Sequence, residues 1–81
     1  MSLRLQPVSV GAGSPDIESQ LVFADSFLVA VLVQLSAVHG EQSGMWFLEA
    51  GFGCLNHRQP PVFADLDEAQ AWITDQLASA A

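Results

Sequence analysis

The stretch Phe27 to Val38, FLVAVLVQLSAV, is interrupted by polar side chains only at Gln34 and Ser36. A surface helix needs a polar stripe at a 3.6-residue period, and none runs through it. Its Val and Leu content suits a strand, and a strand apolar on alternate residues of both kinds needs cover on both sides. That requirement constrains the chain more than any other feature. Its unbroken apolar run, Phe27 to Val33, is far short of the roughly twenty residues of a membrane-spanning helix, and Asp25 interrupts the wider stretch. Met1 to Gln20 holds no apolar run fit for a signal peptide.

The flanking segments complete a β-rich chain. Gln20 to Ala24 is a short strand candidate, with Asp25-Ser26 as a two-residue turn into the long stretch. His39 to Gly44 is turn-rich, and Met45 to Gly53 is a third strand. Cys54 to Pro61 is irregular, since Pro60-Pro61 forbids helix there. Leu3 to Val10 alternates apolar and polar, and Pro7 confines it to an edge. Gly11 to Asp16 then breaks regular structure.

Leu66, Ala69, Ile73 and Leu77 follow helical spacing with Trp72 beside them, and Val62-Phe63 leads in as a brief strand. Asp65 is placed to cap this helix and Glu68 to reach back, a capping box. The helix should fade by Ser79. The expected fold is α+β: a three-stranded antiparallel β-meander, with room for an N-terminal edge strand, packed against one C-terminal helix. Residues 1–17 form an arm and 18–81 a single β-β-β-α domain.

Pairing Val38 with Met45 puts Ala37 opposite Trp46, Leu35 opposite Leu48, Val33 opposite Ala50 and Val31 opposite Phe52. Val22 opposite Val29 joins the same side, which suits the helix. The other side then holds Leu21, Phe23, Leu28, Ala30, Leu32, Met45 and Phe47, with Gln34, Ser36, Val38 and Glu49. One helix cannot cover both sides, and a bare apolar patch of this kind exceeds what a monomer normally shows. The arm, a second copy or a different protein would have to cover it. The second copy, giving a homodimer, is the expectation, because two-fold dimers are the commonest closed assembly.

Charge narrows the partners. The chain has 81 residues, no lysine, cations only at Arg4 and Arg58, and nine acids, for a net charge of −7. Nucleic-acid binding needs Lys and Arg to replace counterions along phosphates, so no nucleic-acid partner is expected. Adsorption to an anionic membrane is disfavoured for the same reason. Cys54 is the sole cysteine, which excludes an internal disulfide and points to a reducing, cytoplasmic location. The lysine-free, alanine-rich composition hints at a bacterial source.

The chemistry-bearing residues are few. Cys54 and His57 supply half of a zinc site without a second pair, and a structural zinc takes four ligands. The same two would be the nucleophile and base of a cysteine enzyme, but no orienting group is visible. Capping accounts for Asp65, Asp67 and Glu68. Gly11-Ala12-Gly13-Ser14 and Gly51-Phe52-Gly53 lack the following helix and Lys of a phosphate loop. Asn56, His57, Arg58 and Gln59 form the most varied polar loop, the first place to look for an anion or an acidic partner residue.

The phrase Val62-Phe63-Ala64-Asp65-Leu66-Asp67-Glu68-Ala69-Gln70-Ala71-Trp72-Ile73 after three strands resembles small bacterial β-β-β-α modules, such as the arm-binding domains of phage integrases. Those bind DNA through the sheet. This sequence lacks their basic sheet, so the resemblance implies an architecture and not that activity. The expected function is a non-enzymatic interaction domain that associates with itself, without cofactor, metal or catalytic residues. The alternative is a ligand-binding or inhibitor protein using the 54–59 loop, and after it a Cys54-dependent enzyme.

Overall fold

A computed structural model describes residues 2–9 and 18–79. Residues 10–17 include the whole glycine-rich breaker, Gly11 to Asp16, and lie outside that description. Among the described residues five antiparallel strands form one sheet in chain order: β1 (Leu3–Ser9), β2 (Glu18–Ala24), β3 (Phe27–Gln34), β4 (Trp46–Gly51) and β5 (Val62–Phe63). One helix, α1 (Leu66–Ser79), follows. The class is α+β. The meander is wider than the three strands expected, because both flanking segments pair: β1 along all of β2, and β5 with the start of β4.

Local chemistry explains the ends of the elements. Asp25 N–H donates to the Ser2 carbonyl at 3.0 Å, which fixes the hydrogen-bond alternation along β1. In that alternation Pro7, opposite Gln20, turns its nitrogen to the open edge, so β2 loses no partner. Asp25 takes φ 55°, a left-handed conformation that Asp tolerates better than most residues. At α1, Asp65 Oδ1 accepts the Glu68 N–H at 2.8 Å. Glu68 Oε2 accepts the Ala64 N–H at 3.0 Å, one residue before the position a capping box would name.

The helix stripe packs as its spacing predicts. Ala69 and Ile73 are fully buried, and Leu66, Trp72 and Leu77 pack around them. They lie against Val22, Ala30, Leu32, Trp46 and Leu48 of the sheet and against Leu55 and Phe63. Leu3 and Leu5 of β1 close one flank of this core.

The register of β3 differs from the expected one, and the difference moves side chains across the sheet. Val33 pairs with Phe47 and Gln34 with Trp46, an odd-numbered slip from the expected pairing, and Val22 pairs with Ala30. Side chains alternate at a period of two, so an odd slip exchanges the faces of β3. Two features cause it. The strand ends at Gln34, where Leu35 N–H donates to Met45 O and Gly44 N–H to Leu35 O, and Ala37–Gln42 coils into 3-10 turns. Val29 and Glu49 are also left unpaired as bulge residues. Ala30 and Leu32, expected on the interface side, are therefore 0% exposed within the core. Val31 and Val33 take the opposite side in their place.

Candidate functional site

The helix covers one face of the sheet. The pairings define what the other presents, in rows running across the strands. The first row is Arg4, Phe23 and Leu28, the second Gln6, Leu21, Val31 and Ala50, the third Val8, Ser19, Val33, Phe47 and Val62. Phe52 is extended and follows Gly51 of β4, so alternation brings it to the same side. Its N–H donates to the Val29 carbonyl at 3.0 Å and seats it beside the start of β3. Of the expected interface residues, Leu21, Phe23, Leu28 and Phe47 lie on this face, and Met45 is half-buried just before β4.

Exposure on this face is graded. Ser19 and Val33 are 3% and 6% exposed at one end, whereas Leu28 and Phe52 reach 38% and 49% at the end near the Asp25-Ser26 turn. Phe27, 73% exposed, pairs with Ala24 and so belongs to the helix side. Strand spacing and rise make the back face about 19 Å by about 20 Å, roughly 400 Å². Without the positions of Arg4, Gln6 and Ser19 about 300 Å² of it is apolar, the lower end of the range for the largest patch on an ordinary monomer, which is often functional.

Its charge is as informative as its hydrophobicity. Among the described residues of these rows Arg4 is the one charge, 4.4 Å above the Phe23 ring and 3.4 Å from Gln6 Oε1. Asp65, Asp67, Glu68 and Asp75 cap or ride on α1, on the far side of the sheet. Glu49 stands at the β4 bulge, where β4 is itself the edge because β5 pairs only with Trp46 and Phe47.

The 54–59 loop sits at that edge. A cleft of about 390 Å³ opens between it and the second half of β4, lined by Glu49, Gly51, Phe52, Asn56, His57 and Pro60 among others. Gly51 is required there: a Cβ would collide with the Leu55 carbonyl, which the Gly53–Leu55 3-10 turn holds against it. The His57 ring lies 5.1 Å from Trp72, which is 5.6 Å from Phe63, so His57 extends an aromatic row rising from the core. Cys54 is exposed, with Sγ 3.8 Å from the Gln76 carbonyl. These contacts tie Cys54 and His57 separately to the helix. Arg58 and Gln59 are exposed and do not line the cleft.

Among the described residues no group of three His, Cys, Asp or Glu is arranged to hold a metal ion, and no helix is long and apolar enough to cross a membrane. No protein-family model, curated protein or solved structure matches the chain.

Proposed function

We propose that the protein is a small non-catalytic interaction domain that works as a homodimer, two copies meeting through the helix-free faces of their sheets. The observation that carries this reading is the acid-poor apolar surface formed by Leu21, Phe23, Leu28, Val31 and Phe47 in a chain of net charge −7. Burying such a face removes apolar area from water without stranding a carboxylate. Two faces of this size with the Phe52 rings bury on the order of 1,000 Å², the lower bound of a specific interface.

Sedimentation equilibrium tests it. The wild type should have a two-chain mass at micromolar concentration that persists at high salt, because its apolar contact is not screened. Phe47→Asp should have a single-chain mass with an unchanged far-ultraviolet spectrum. A wild type that stays single-chain across the micromolar range overturns the reading. A second reading, a small molecule or foreign protein held by the 54–59 loop, draws support from the cleft that Asn56 and His57 line. It expects a salt-sensitive foreign complex and a wild type of single-chain mass.

A further inference from the structure

The back face is uneven in exposure and in charge, and both asymmetries bear on how a second copy would sit. This inference rests on the homodimer reading above. Face-to-face copies related by a two-fold axis have two simple arrangements, with the axis along the strands or across them. An axis across the strands presses the open row of each copy, with Leu28 at 38% and Phe52 at 49% exposure, onto a row whose Ser19 and Val33 are already 3% and 6% exposed. An axis along the strands lets the two open rows meet each other.

Charge selects the same arrangement. Arg4 lies on β1 at one edge of the face, and Glu49 lies at the β4 bulge toward the other edge, about one row away. An axis across the strands returns β1 over β1 and leaves Arg4 above an uncharged strand. An axis along them carries β1 of each copy over the β4 edge of the other, where Glu49 and the half-exposed Phe52 ring stand. We infer that the two copies pack with the two-fold axis along the strands, each Arg4 meeting the other copy's Glu49 and Phe52 at the two flanks of an apolar centre of Phe23, Leu28 and Val31. The ion pair then occurs twice, Leu28 is buried against the other copy's Phe23, and Phe52 is covered by the other copy's β1.

Charge reversal tests the arrangement on the full chain, read as the dimer dissociation constant. Arg4→Glu should weaken the dimer about five-fold or more, since it creates two like-charge contacts. Glu49→Arg should weaken it by a similar factor even though it makes the chain less acidic, which general repulsion alone would turn into tighter association. The double exchange, Arg4→Glu with Glu49→Arg, should return the constant to within about two-fold of wild type. Phe52→Ser should weaken the dimer about ten-fold, while Phe27→Ser, on the helix side, should leave it unchanged.

A dimer that Glu49→Arg tightens, or that the double exchange does not rescue, overturns the arrangement and leaves the homodimer reading standing. So does a dimer broken by Phe27→Ser and not by Phe52→Ser. A wild type that remains single-chain, whether free or pelleting with neutral phosphatidylcholine vesicles, overturns both.

Discussion

The two faces of the sheet are drawn from the same strands and are nearly equal in apolar character, yet they differ in burial. On the front, Val22, Ala30, Leu32, Trp46 and Leu48 are at most 8% exposed beneath α1. On the back, Leu21, Phe23, Val31 and Phe47 are only half-buried by their own neighbours, and Leu28 is open. A helix of this length is about 21 Å long and about 10 Å wide, enough for one side of a small sheet. Hydrophobicity therefore marks both faces as in need of cover, and the single helix decides which becomes the core.

Adjacent residues in β3 give the sharpest break of that comparison. Leu32→Ala should cost about 3 kcal/mol in urea unfolding, because it empties a fully buried site. Val31→Ala, one residue away on the back, should cost less than about 1 kcal/mol with the chain held monomeric by Phe47→Asp. Equal losses would mean that the back face is already sealed within one chain.

Gly51→Ala should cost about 2 kcal/mol in the same assay, because the added methyl must displace the Leu55 carbonyl and loosen the fully buried Leu55. Asp65→Ala removes the cap from the helix that covers the front and should cost about 1 kcal/mol, seen as a lower midpoint. Ser19→Ala acts on the back face with the opposite sign. Its hydroxyl is buried without a hydrogen-bond partner, so its removal should raise stability by up to about 1 kcal/mol.

Several of these features can be read from residue order. Leu66, Ala69, Ile73 and Leu77 share a helical face whatever lies beneath them, and Asp65 with Glu68 announces the helix start through hydrogen bonds spanning a few residues. Pro7 marks an edge because it lacks an N–H. The Asp25-Ser26 turn, the brief strand at Val62-Phe63 and the clustering of polar residues at 54–59 were legible for the same reason. The sides of Ala30, Leu32, Val31 and Val33 were not. They depend on bulges at Val29 and Glu49 and on the strand ending at Gln34, none of which has a local signature in FLVAVLVQLSAV. An alternation of apolar with apolar carries no mark of which phase points inward.

The candidate site divides in the same way. Composition made the four polar residues of the 54–59 loop candidates together, but only Asn56 and His57 line the cleft, and His57 is drawn onto Trp72. Simple alternation along FLVAVLVQLSAV and its partner strand puts Phe52 on the core side, but it stands half exposed, and the β4 bulge carries it to the back. Its orientation follows from pairing across the sheet, and nothing in Gly51-Phe52-Gly53 reveals it.

By itself the amino-acid order determined the α+β class, the order of the main strands and the helix, the helix face and the net negative charge. Those properties depend on side chains a few residues apart or on simple sums of charge. Tertiary structure alone decided which residues of β3 enter the core, where the sheet stops pairing and what the uncovered face displays. Strand register is settled between segments distant in sequence, and a single bulge moves every later side chain to the other side.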